Sequence, residues 1–138
     1  MYYRKDVPCL KRKYKKLKKI LDIARGFTQE VTFLGITPVD ESKTMPIPWR
    51  TDLYYMEKNV ALYNDALEKF CAENAVAFIP IYDLITKDDL PDGLHPNPEG
   101  HAKIAEKVLE RSIREEDSER LARNAITELG RTYGRKQN

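Results

Sequence analysis

Asp92-Gly93-Leu94-His95-Pro96-Asn97-Pro98-Glu99-Gly100-His101 sets a carboxylate three residues before a histidine, in a segment that leads into a helix. A histidine serving as general base needs a second group to hold its tautomer and to stabilise the imidazolium formed when it takes a proton. Asp92 is near enough to do both from the same turn. Gly93 lets the loop bend and Pro96 stiffens the residues after the histidine. Asn97 followed by Pro98 reads as an N-cap and a first helical position. The candidate catalytic residues are therefore His95 as base and Asp92 as its orienter.

Upstream, Val76-Ala77-Phe78-Ile79-Pro80-Ile81-Tyr82 reads as a strand, and Pro80, which lacks an N–H, places it at a sheet edge. A helix over about 55–74 precedes it, with Met56, Val60, Tyr63, Leu67 and Phe70 forming one apolar stripe. Before that helix stands Val31-Thr32-Phe33-Leu34-Gly35-Ile36-Thr37, apolar on both sides of the pleat, the pattern of a parallel strand covered by helices. The two strands and their helix make one right-handed βαβ unit. Residues 39–52, with Pro46 and Pro48, read as a long surface loop at the carboxyl end of the first strand, where α/β folds bind ligands. Trp49, Arg50 and Tyr54 in or beside this loop either line a cleft or pack over the second helix, and packing is the favoured reading.

The first helix is expected over about 7–25, from Val7, Leu10, Tyr14, Leu17, Ile20, Leu21 and Ala24, with Gly26 as its stop. After Asn97 a helix is expected to about Glu115 through Ile104, Ala105, Val108, Leu109 and Ile113. A separate one begins near Ser118 and carries Leu121, Ala122, Ala125, Ile126 and Leu129. The domain reading is 1–115 and a helical extension with a basic tail at 116–138.

The Asp92-x-x-His95-Pro96 block, with Gly100-His101 following, resembles the last block of the SGNH/GDSL hydrolase family. The resemblance extends through Val31 to Pro38 and Tyr63-Asn64, over roughly residues 7 to 110. It implies an α/β class chain: a partial flavodoxin-like, SGNH hydrolase-type three-layer fold with a short parallel sheet of about two strands flanked by helices, plus a C-terminal helix. It also implies hydrolysis of acyl esters, with Ser, Gly and Asn from earlier blocks completing the site. Those blocks, Gly-Asp-Ser and Gly-x-Asn-Asp, do not occur in this sequence, and its serines are Ser42, Ser112 and Ser118. A base without a nucleophile and oxyanion donors cannot carry out acyl transfer. The chain is therefore expected to be inactive alone. It reads either as the carboxyl half of an esterase or as a non-enzymatic interaction module.

A two-stranded sheet leaves unpaired backbone and uncovered apolar side chains, so self-association or binding of a complementing N-terminal polypeptide is expected. The formal net charge of +2 from 24 basic and 22 acidic residues points to no particular partner. The lysines between Lys11 and Lys19 avoid the apolar stripe and read as solvated surface, so nucleic acid is not an expected partner. Cys9 and Cys71 are far apart and form no Cys-x-x-Cys. Asp92, His95 and His101 alone make no zinc set, and no metal or other cofactor is expected. With no long apolar run and no signal-peptide pattern, no membrane span is expected, and the chain reads as cytoplasmic, with free thiols.

Overall fold

The computed structural model describes residues 8–134, with side chains described over 10–128. The elements run α1 (Pro8–Arg25), β1 (Thr32–Leu34), α2 (Glu41–Thr44), α3 (Glu57–Glu73), β2 (Ala77–Ile79), two 3₁₀ turns (Tyr82–Leu84 and Lys87–Asp89) and α4 (Pro98–Gly134). Val7, placed at the start of the first helix from the sequence, and the tail at 135–138 lie outside the described residues. So do the side chains of Cys9 and Leu129.

β1 and β2 pair in parallel, with Thr32 opposite Ala77, Phe33 opposite Phe78 and Leu34 opposite Ile79. A parallel pair requires a crossover, and α3 supplies it. Its buried stripe of Val60, Asn64, Leu67, Phe70 and Cys71 includes three of the apolar positions expected from helical spacing. Met56, placed in that stripe from the sequence, is instead the exposed N-cap of α3. Leu67, Phe70 and Cys71 form the core with Leu21 of α1, and Phe33 and Phe78 pack against it from one sheet face. The Phe70 ring meets Tyr14 and Phe33 edge-on, with centroids 4.9 and 6.0 Å away. Edge-to-face pairs of this kind add to the area they bury.

Both strands are shorter than the sequence suggests. Pro80 lies just past the end of β2, where its missing N–H costs no ladder bond. Past β1 the Gly35 amide still bonds Ile79 O at 2.9 Å, and the Ile36 amide, which points away from β2, donates to Asn64 Oδ1 of α3 at 3.0 Å. Asn64 is buried. Replacing it by alanine leaves the Ile36 N–H without its acceptor, and a loss of about 1–3 kcal/mol of unfolding free energy is expected. Urea titration against an Asp65→Ala control on the exposed face checks this, and equal midpoints would contradict it.

The expectation that the first strand is covered on both sides does not hold. Thr32 is exposed and Leu34 is 41% exposed, because helix packing reaches only the Phe33 side of the strand. Ile20 is likewise exposed rather than part of the α1 stripe, since it lies one residue away from the buried Leu21 and so faces a different direction. The lysines of α1 are solvated as expected. Lys18 pairs with Asp22 at 3.2 Å, and the Lys13 ammonium sits 5.1 Å from the centre of the Tyr63 ring. Among the described residues no helix is long and apolar enough to cross a membrane. Cys71 is a free, buried thiol, and burial raises its pKa.

The chain divides into two compact units at Ile104/Ala105, inside α4. The second unit continues as helix to Gly134, without the break expected before Ser118. No glycine or proline interrupts 114–120, and ion pairs one helical turn apart, Arg111 with Glu115 and Arg120 with Asp117, sustain the helix across that region. Its apolar residues Leu109, Ile113, Leu121 and Ile126 are all exposed.

Candidate active site

The segment after β2 turns twice in 3₁₀ geometry before reaching the Asp92–His95 loop. Thr86 and Asp89 form a reciprocal cap on the second turn: the Asp89 carboxylate accepts from the Thr86 amide at 2.8 Å and its hydroxyl at 3.0 Å. Asp89 is buried and also accepts from Lys103 Nζ at 2.7 Å, which ties the turn to the start of α4. The ammonium of Lys103, followed by the Thr86 amide, lowers the pKa of Asp89. Sequence reading missed this residue, although Thr86-x-x-Asp89 is a capping pattern that would have flagged it.

α4 begins where Asn97-Pro98 indicated. Asn97 Oδ1 accepts the Gly100 amide at 2.8 Å, as an N-cap does, and Pro98 is the first helical residue. Gly100 is buried, and a Cβ there would lie 3.0 Å from Pro96 Cβ and 3.2 Å from Asp89 Cβ. His101 is on the exposed side of α4.

Gly93 has φ +83°, and a Cβ on it would approach Lys43 Cβ to 2.7 Å. Both facts require glycine. The close approach joins the loop to α2, where the Asp40 amide donates to Gly93 O at 2.8 Å and Lys43 Nζ donates to Leu90 O at 3.3 Å. Asp40 is the N-cap of α2, and its Oδ1 accepts from both the amide and the hydroxyl of Ser42. The Ser42 hydroxyl is thus engaged at 2.7 Å with Asp40, while that of Ser112 donates to Val108 O within α4. Ser118 is exposed on α4.

Asp92 and His95, adjacent in the sequence reading, are brought together. Asp92 Oδ1 accepts from the His95 amide at 2.7 Å and the Leu94 amide at 2.9 Å, and Oδ2 lies 2.7 Å from His95 Nδ1. The His95 amide is the largest influence holding the Asp92 carboxyl down to about 2, with the imidazole contact and the Leu94 amide adding to it. At neutral pH Asp92 is therefore a carboxylate and can only accept, which puts the proton on His95 Nδ1 and leaves Nε2 as the basic nitrogen. The His95 side chain is 68% exposed, against 35% for Asp92. The long loop adds one element. Trp49 stacks on the His95 ring and is itself 57% exposed, and Tyr54 lines a groove between α1 and α3.

The acid response of this turn follows from Asp92. Its carboxyl pKa falls from 3.8 to about 2 on folding, so its contribution to stability is full above about 4 and is lost as the pH falls through about 2. The amides of Leu94 and His95 are expected to shift together with a midpoint near 2, and in Asp92→Asn this step should vanish. Amide NMR against pH decides it, and a midpoint at the ordinary carboxylate value would contradict the geometry.

The fold is shared with known proteins. A Bacteroides fragilis NCTC 9343 crystal structure described provisionally as an acylhydrolase superposes with a TM-score of 0.61 at 17% identity, covering 77% of this chain and 52% of that one. A GDSL-like lipase from Bacteroides thetaiotaomicron VPI-5482 gives a TM-score of 0.61 at 18% identity, covering 77% and 53%. At these identities the likeness is one of fold: a mixed α/β arrangement with a short parallel sheet. The chain spans about half the length of these two structures. No curated protein matches the sequence. A family model for the GDSL-like Lipase/Acylhydrolase family matches residues 4–103, most of the chain. With the Asp-x-x-His loop and the two-stranded parallel sheet inside the matched region, the chain belongs to the GDSL-like Lipase/Acylhydrolase family.

Proposed function

We propose that the chain supplies the proton-transfer half of an ester-hydrolysing site. His95 Nε2 takes the proton of an attacking serine hydroxyl and returns it to the alkoxide that leaves as the ester bond breaks. Water then releases the acyl group by the same base, while Asp92 holds the tautomer and offsets the imidazolium charge. The nucleophile and the oxyanion donors come from a polypeptide segment outside this sequence, and the chain alone turns over no ester. The observation that supports the reading best is the 2.7 Å contact of His95 Nδ1 with an Asp92 carboxylate already held by two amides, on a side chain that is itself largely exposed.

A second reading, an interaction module without catalysis, is favoured by the exposed Leu34 on an edge strand. The apolar groove of about 330 Å³ lined by Leu10, Tyr14, Leu17, Ile36, Tyr54 and Tyr63 favours it too. Both readings call for a polypeptide partner, and catalysis separates them. Co-expression with a polypeptide carrying Gly-Asp-Ser and Gly-x-Asn-Asp is expected to give a complex that hydrolyses p-nitrophenyl acetate, while neither part does so alone. A stable complex without turnover would reject the esterase reading.

A further inference from the structure

Trp49 is the chain's single tryptophan, and its indole lies over the His95 imidazole with centroids 5.8 Å apart and planes inclined by 30°. That is an offset stack within the favoured range for aromatic pairs. The loop that presents the indole is closed rather than loose. Ile47 is buried as its anchor, Ile47 and Arg50 form an antiparallel bridge, and the Ile47 amide donates to Leu53 O at 2.9 Å. At its base the Thr44 hydroxyl donates to Tyr55 O at 2.7 Å and the Tyr55 amide returns a bond to Thr44 O. Arg50 of this loop pairs with Asp52, and Lys43 pairs with Asp40 and donates to Leu90 O.

The Asp92 contact restrains His95 at one atom. A single hydrogen bond at Nδ1 leaves the imidazole free to tilt about it, and the χ2 torsion of histidine is broad and roughly two-fold. A half-turn about χ2 would put a ring carbon against the carboxylate and carry Nε2 elsewhere. The half-turn leaves the ring plane unchanged and is opposed by the lost Asp92 hydrogen bond, whereas a flat neighbour on one ring face opposes the tilt, because a tilted ring would lose its stacking contact.

We propose that Trp49 is a positioning residue for His95, its indole fixing the plane of the imidazole so that Nδ1–H stays on Asp92 and Nε2 faces outward. The proposal rests on the reading of Asp92 as orienter of the base, and deepens it.

The test uses the full chain labelled with ¹⁵N-histidine and needs no activity. Long-range ¹H–¹⁵N correlations, recorded at a pH above the histidine range, report the Nδ1–H to Nε2–H ratio of each neutral ring. The wild type is expected to show His95 mainly as Nδ1–H. Trp49→Ala is expected to lower the ratio about threefold, and Trp49→Phe to restore most of it, since phenylalanine offers a similar plane. The His101 signals serve as an internal reference and should be the same in all three proteins, as should the amide spectrum of α3. An unchanged ratio in Trp49→Ala overturns the role of Trp49 and leaves Asp92 as orienter. A wild-type ring found mainly as Nε2–H overturns both, and failure of phenylalanine to rescue an altered ratio overturns the ring-plane argument.

Discussion

His95→Ala in the complex with the complementing polypeptide is expected to lower ester turnover by about 10³–10⁴-fold with little change in KM, because the base acts in the transition state and not in ground-state binding. Asp92→Asn should fall nearly as far. An asparagine side chain can turn its amide towards Nδ1, which stabilises the tautomer that has its proton on the wrong nitrogen, and it carries no charge to offset the imidazolium. Stopped assays with p-nitrophenyl acetate, at matched complex concentration verified by gel filtration, provide the measurement. Turnover retained in His95→Ala would reject His95 as the base. Turnover lost in His95→Ala but intact in Asp92→Asn would keep the base and reject its orienter.

Phe70→Ala is expected to cost about 3–5 kcal/mol of unfolding free energy, the range for removing a buried phenylalanine and leaving a cavity. Phe70 is fully buried and touches both Tyr14 of α1 and Phe33 of β1, so its removal loosens helix from helix and helix from sheet together. Small domains have only about 5–15 kcal/mol in total, so a largely unfolded chain at room temperature is the expected result. Urea titration by circular dichroism, with Leu62→Ala on the exposed face of α3 as control, measures it. A loss below about 1 kcal/mol would place the core elsewhere.

The loop carrying Asp92 and His95 was legible because its interactions are local. An Asp side chain reaching amides two and three residues ahead, a glycine with positive φ, and an Asn-Pro helix start are all consequences of neighbours in the chain. The α3 stripe was legible for the same reason, since helical periodicity announces which face is buried. The continuity of α4 was misread, because Ser118 was weighed as a cap while the ion pairs on either side of it were not. The exposure of Leu34 and Ile20 was misread because an apolar residue does not carry in its own identity whether anything will pack on it.

Residue types and short spacings were thus enough to specify the parallel βαβ unit, the carboxylate–histidine pair and the start of the helix behind it. The placement of Trp49 on His95, the Asp89–Lys103 tie and the bond from the Ile36 amide to Asn64 were decided only in three dimensions. Each joins segments separated by a loop or a whole helix. Where such segments meet depends on how α1, α3 and the two strands share one core, a property of the packed chain that no window of neighbouring residues contains.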